Sequence, residues 1–188
     1  MSKAVTVMNG AIAKGMNAVS DAGLIGMITL KADLGVEAVA KAVKSSVGLT
    51  MPKAGEIKTG AKGRVAWMAA DELMLFVEYY AADALVAKLE KALKDHHHLA
   101  VNVSDARACF KIDGDHIRNL LAKGTPTPLA GFGPGQFRRS RIGQIAAAFW
   151  MESEKLGYVV CFRSVGAHMF EWLSNANDAH ASLDLYSG

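Results

Sequence analysis

Three consecutive histidines, His96, His97 and His98, are the most conspicuous metal-binding candidates in the chain. Metal ligands converge from one helix face or from separate elements, and three adjacent side chains project in different directions. No Asp, Glu or Cys completes a ligand pattern. The three read as a solvated helix terminus, where partly protonated imidazole complements the C-terminal end of the helix dipole. His116, His168 and His180 stand alone and read as surface or partner-contact residues. Cys109 and Cys161 sit mid-strand among apolar residues, neither has a neighbour that would make it a nucleophile, and both read as small buried hydrophobes. The chain has no CxxC, HExxH, GxSxG or GxxxxGK[ST] motif. Gly131-Phe132-Gly133-Pro134-Gly135 has the composition of a nucleotide loop. It does not join a strand directly to a helix, and Pro134 offers no N–H to a phosphate, so it reads as a surface loop. Arg138, Arg139 and Arg141 form the one charge cluster, placed just before an apolar strand. Such a cluster suits a phosphate, a polyglutamate tail or an acidic patch on a partner, and a solvated loop accounts for it equally well. No aromatic residues interleave with the arginines to stack on bases, which argues against nucleic acid. With no paired carboxylates and no nucleophile–base set, the chain reads as an accessory protein rather than an enzyme.

These residues must be positioned by short amphipathic elements. From Leu34 to Val47, apolar residues recur at Val36, Val39, Ala40, Val43 and Val47, which is one face of a helix. Asp33 stands at its N-cap position and Gly48 at its stop. Further helices are predicted over about Ala82–Lys94, His116–Lys123 and Gly166–Asn175. Strands are predicted at Gly26–Asp33, Arg64–Ala69, Leu73–Glu78, Leu99–Val103, Ala106–Ile112, Ile142–Trp150 and Tyr158–Arg163, with hairpin turns at Ala70-Asp71-Glu72 and Glu152–Lys155.

In order, these elements repeat: strand, helix, Pro/Gly stretch, hairpin, helix. Trp67 and Trp150 each close the first strand of a hairpin, and Pro52 and Pro126 each follow a first helix. The period is too long for a solenoid. It predicts an α+β fold of duplicated ferredoxin-like (split βαβ) units, with the helices on one sheet face. The expected divisions are residues 1–98, an N-terminal extension plus first repeat, and 99–188, the second repeat, together one compact domain.

The chain has 188 residues, a net charge of +3, 51% hydrophobic and 7% aromatic residues. That content excludes a disordered chain, and the small charge excess gives no case for nucleic acid or an anionic membrane. No apolar run reaches the length of a membrane span, because Glu78 and Asp83 interrupt the richest one. Lys14 interrupts the N-terminal apolar stretch, which is read as lying on a partner rather than as a signal peptide. Two cysteines without a metal or disulfide spacing fit a reducing compartment, and the cytoplasm is the expected location.

The stretch VNVSDARACFKIDGDHIRNLLAKGTP, Val101–Pro126, resembles the hallmark segment of the gamma subunit of heterotetrameric sarcosine oxidase. The resemblance lies in Ser104-Asp105-Ala106-Arg107, an apolar strand, a glycine, and a helix ending Leu121-Ala122-Lys123-Gly124. GFGPGQFRRSRIGQIAAAFW and FRSVGAHMFEWL extend it, so that it covers about Leu99–Asn175. Thr125-Pro126 stands where members often carry Cys-Pro, and Gly133 replaces the first Pro of a Pro-Pro-Gly. The family is in turn similar to the folate-binding domain of the glycine-cleavage T-protein (aminomethyltransferase), a duplicated arrangement that agrees with the repeat.

The resemblance implies a noncatalytic subunit, without an active site of its own, that docks on alpha, beta and delta chains. Those chains demethylate sarcosine to glycine and hydrogen peroxide, with the one-carbon unit passed to tetrahydrofolate. FAD, FMN, NAD and tetrahydrofolate are expected in the other subunits, and no cofactor, catalytic or metal residue is assigned to this chain. Arg138, Arg139 and Arg141 are the candidate partner contacts, and the isolated chain is free to self-associate. Two alternatives stay open: the gamma-type subunit of a related N-methyl amino-acid dehydrogenase, and a stand-alone folate-binding, aminomethyltransferase-like protein.

Overall fold

A computed structural model describes residues 3–186. The chain divides into two compact units, Leu24–Asp105 and a second made of Met1–Gly23 with Ala106–Gly188. Both are α+β, each with an antiparallel sheet. The division differs from the expected 1–98 and 99–188 at both ends. Strand β7 (His98–Asn102) pairs with the first unit's sheet, and the N-terminal strands β1 (Ile12–Lys14) and β2 (Ala18–Asp21) pair into the second.

The first unit runs β3 (Ile25–Ala32), α1 (Glu37–Val47), β4 (Ile57–Gly60), β5 (Gly63–Ala69), β6 (Glu72–Glu78), α2 (Ala82–Leu93) and β7, with strand order β4-β5-β6-β3-β7. Helix α1 starts three residues later than the sequence suggests. Asp33 is spent locally, its carboxylate accepting the Gly35 N–H at 2.9 Å, and Val36 takes the N-cap place. Gly48 ends the helix at φ +76, a conformation that favours glycine, with its N–H on the Lys44 carbonyl. Val39, Val43 and Val47 of α1 and Leu89 and Leu93 of α2 cover Ile28, Leu30, Leu73 and Leu75 of the sheet.

The second unit runs β8 (Arg107–Asp113), α3 (Ile117–Ala122), β9 (Phe137–Ile142), β10 (Ile145–Ser153), β11 (Leu156–Phe162) and α4 (Gly166–Ala176). Its strand order is β1-β2-β8-β11-β10-β9. Ile117, Leu120 and Leu121 of α3 and Met169 and Leu173 of α4 close over Phe110, Ile112, Phe149 and Val159. The apolar stretch predicted as one strand from Ile142 is broken at Gly143, whose φ of +57 allows a tight turn from β9 into β10.

The two hairpins share a feature one residue away from the expected one. Each carries a register shift just before its turn, between Trp67 and Ala69 in β5 and between Met151 and Ser153 in β10. Met151 therefore matches Trp67, and Trp150 lies one position back. A one-residue offset flips the face: Trp67 pairs with core residue Leu73, whereas Trp150 pairs with Tyr158 on the helix-free face.

Gly124 shows how tightly the second unit is closed. A Cβ there would stand 2.4 Å from Trp172 Cζ2 and 3.0 Å from Ile142 Cγ2, and its carbonyl accepts the Gly143 N–H at 2.9 Å. Gly124→Ala is expected to cost about 1–3 kcal/mol through forced repacking. That lowers the thermal midpoint by roughly 2–4 °C per kcal/mol in a chain of this size, and calorimetry checks it.

Candidate functional site

The three arginines lie on a strand, not in a loop. Strand β9 is the outermost strand of its sheet and pairs on one side with β10, placing Arg138 opposite Phe149, Arg139 opposite Ala148 and Arg141 opposite Ala146. Strand alternation splits the cluster. Arg138 is a structural residue: it donates to the Phe137 carbonyl at 3.0 Å and to Gln136 Oε1 at 2.7 Å, and lies 5.4 Å over the Phe132 ring. Arg139 and Arg141 share the other face and are exposed. At the head of that face Phe137 stacks on Trp150, which stacks on Tyr158 at 5.0 Å, a rigid aromatic row beside the two exposed cations.

The glycine-rich stretch before β9 is anchored rather than loose. Phe132 is fully buried, edge-on to Phe149 at 5.5 Å, and its carbonyl accepts from Arg118 Nε. The N–H groups of Phe132, Gly135 and Gln136 bond to the carbonyls of Leu129, Met151 and Gly133. Within the stretch the Phe132 and Gly135 amides are thus engaged by the chain itself, and Pro134 has none to offer.

The tetrapeptides that carried the family resemblance hold the fold together. Ser104 Oγ accepts the Met27 N–H at 2.9 Å and donates to Asn102 Oδ1, and Asp105 accepts from the Tyr79 hydroxyl at 2.8 Å. Arg107 lies 3.9 Å over the Phe162 ring. Lys123 donates to the Ala176 carbonyl, fastening the end of α3 to the end of α4.

The histidines separate. His96 and His97 are exposed beyond α2, whereas the His98 ring is 8% exposed, its Nδ1 2.8 Å from the His96 carbonyl and its Nε2 3.3 Å from Glu90 Oε2. His98 thus opens β7 rather than ending a helix. Among the described residues, no three His, Cys, Asp or Glu side chains are grouped to hold a metal, and no helix is long and apolar enough to cross a membrane. Both cysteines are buried and unbridged. Burial pushes the Cys161 thiol up to about 11, against a weaker downward pull from Arg107. The native protein is therefore expected to leave Cys161 unalkylated by iodoacetamide at pH 8, with labelling appearing on denaturation; mass spectrometry reads both states.

The N-terminal segment was expected to lie on a partner, and here it is part of this chain's own sheet. Buried Asn17 and Asn177 clasp it: Asn177 Oδ1 accepts the Asn17 N–H at 2.9 Å, and Asn177 Nδ2 donates to the Asn17 carbonyl at 2.7 Å. Nothing in the sequence pairs two asparagines so far apart.

The fold matches a chain of "Heterotetrameric Sarcosine Oxidase from Corynebacterium sp. U-96 in complex with pyrrole 2-carboxylate", with TM-score 0.79 and 22% identity over 93% of this chain and 91% of that one. It is also similar to glycine cleavage system aminomethyltransferase T from Bartonella henselae, with TM-score 0.62 and 16% identity over 81% of this chain and 44% of that one. No curated protein matches by sequence. The model of the sarcosine oxidase, gamma subunit family matches residues 31–179, most of the chain, and this protein belongs to that family.

Proposed function

We propose that the chain is a noncatalytic gamma subunit that supports assembly of a heterotetrameric sarcosine oxidase with alpha, beta and delta chains. The family match over residues 31–179 carries this reading. In it the other chains hold FAD, FMN, NAD and tetrahydrofolate and demethylate sarcosine to glycine in the cytoplasm, while this chain contributes surface. The engaged amides of the glycine-rich stretch support that division of labour. Arg139 and Arg141, exposed on an outermost strand, are the contact residues, and Arg138 supports their strand.

The two units are read as copies of one split-βαβ, ferredoxin-like module. Matching strand orders, matching register shifts, and the short helical turns Tyr79–Ala81 and Arg163–Val165 before α2 and α4 support this. One strand is out of sequence order: β7 follows the first module and completes it, whereas β2 precedes the first module but completes the second.

Co-expression with the other subunits, followed by size-exclusion chromatography, tests the assignment; a chain that never co-elutes with them sinks it. A double variant, Arg139→Ala with Arg141→Ala, is expected to hold its thermal midpoint while losing co-purified partners. Exposed ion pairs contribute at most about 1 kcal/mol to folding. Desolvated interface pairs cost about 2–5 kcal/mol when cut.

A further inference from the structure

We propose that the outer edge of β7 is a strand-addition site for an extended, basic segment of a partner chain. The two sheets differ by one strand at one place. Strands β2 and β7 hold equivalent positions, each antiparallel to the first strand of its unit, with Ala22 N–H on the Cys109 carbonyl and Val103 N–H on the Met27 carbonyl in the same register. The far edge of β2 is covered by β1, through Ile12–Ser20, Ala13–Val19 and Lys14–Ala18. Among the described residues, no strand pairs with the far edge of β7.

Antiparallel bonding alternates, so the Val103–Met27 bond turns the Val101 and Leu99 backbone toward β3 and that of His98, Ala100 and Asn102 outward. The outward row is only partly covered. Ala100 N–H reaches Glu90 Oε1 at 3.4 Å, and the Asn102 side chain donates to Asp83 Oδ1. Leu99 and Val101, 51% and 39% exposed, offer apolar contact beside it. A cleft of about 730 Å³ opens at the head of β7, lined by Lys31, Asp33, Asp71, His97 and Leu99. Asp83 and Glu90, from one face of α2, line the edge with carboxylates, so lysine or arginine on the incoming segment complements it. Glu90 also faces the His98 ring. Main-chain bonds supply affinity in such an arrangement, and the flanking charges supply specificity.

That the partner is another subunit of the complex rests on the proposed function, so two measurements are needed. In the co-expressed complex, hydrogen exchange at the His98, Ala100 and Asn102 amides is expected to slow about tenfold relative to the isolated chain. Ala100→Pro removes an outward N–H without touching the β3 ladder. Val101→Lys sets a like charge against a basic strand and serves if the proline variant misfolds. Either is expected to cut co-purified subunits about fivefold at an unchanged thermal midpoint. Assembly without protection of the three amides, or variants that assemble like the parent, overturns the proposal. If the parent captures no subunit, the assignment to the complex fails separately. The isolated chain is then titrated with the peptide Gly-Ala-Ile-Ala-Lys-Gly-Met, copying residues 10–16. Slowed exchange at the same amides upholds the edge as a strand acceptor, and unchanged exchange overturns it. Slowing that depends on the concentration of the chain alone overturns the proposal in favour of a second copy.

Discussion

Replacing Asn177 with Ala is expected to destabilise the chain by about 3–4 kcal/mol, since each orphaned buried polar group costs roughly 1–3 kcal/mol. The side chain is 1% exposed and its partner Asn17 is 4% exposed, so water cannot replace what is lost. Asn177 Oδ1 accepts both the Asn17 N–H and Asn17 Nδ2, at 2.9 and 3.2 Å, and Asn177 Nδ2 donates to the Asn17 carbonyl. Asn17 Oδ1 in turn accepts the His116 N–H at 2.9 Å, at the start of α3. Truncating Asn177 thus strands a buried donor and weakens the hold on β2 and α3 together. The thermal midpoint is expected to fall by roughly 6–16 °C, from about 2–4 °C per kcal/mol. Asn177→Asp keeps the acceptor but loses the donor and buries a charge, so it should not rescue stability. An alanine variant that melts with the parent would mean the clasp closes over water-accessible groups.

What was legible in the sequence follows from burial. Helix α2 was expected at Ala82–Lys94 and is found at Ala82–Leu93; α4 was expected at Gly166–Asn175 and spans Gly166–Ala176. Their apolar faces are written at helical spacing. The strands with buried runs, β3, β6 and β11, were equally plain. The missed strands are the outer ones. IKTG of β4 and FRRSRI of β9 close opposite sheets at the same position, and polar, charged residues suit an outer strand that must resist stray pairing. Their composition resembles a loop because half of each strand faces water. Strands β1 and β2 were missed for another reason: β2 docks on β8, which lies far along the chain, β1 pairs only with β2, and no local pattern records the docking. The candidate site divided the same way. The arginines were visible as residues, but the strand that separates Arg138 from Arg139 and Arg141 was not. The histidine run was weighed as a unit, although β7 begins inside it and buries the third ring.

Deleting residues 1–22 is expected to unfold the second unit while the first stays folded. The deletion removes Val19, fully buried in the core of that unit, and both strands beyond β8. Burial of one valine is worth about 1.5–3 kcal/mol. The polar groups of Asn177 then lose Asn17 as well, and the Asn177 carbonyl loses the Met16 N–H at 2.8 Å. The summed loss is on the order of 5 kcal/mol, comparable to the whole stability of a small domain. The first unit keeps β7 and its own core of Ile28, Leu30, Leu73 and Leu75, so its fold does not depend on the missing strands. Hydrogen exchange separates the outcomes residue by residue. Amides of Phe110, Val159 and Val160 are expected to lose protection, and those of Leu30, Met74 and Leu75 to keep it. Adding a synthetic peptide of residues 1–22 is expected to restore the first set, because β2 docks on β8 through sheet bonds and the asparagine clasp. Protection of both sets in the truncated chain would show that β8, α3 and α4 close without the strand borrowed from the start of the chain.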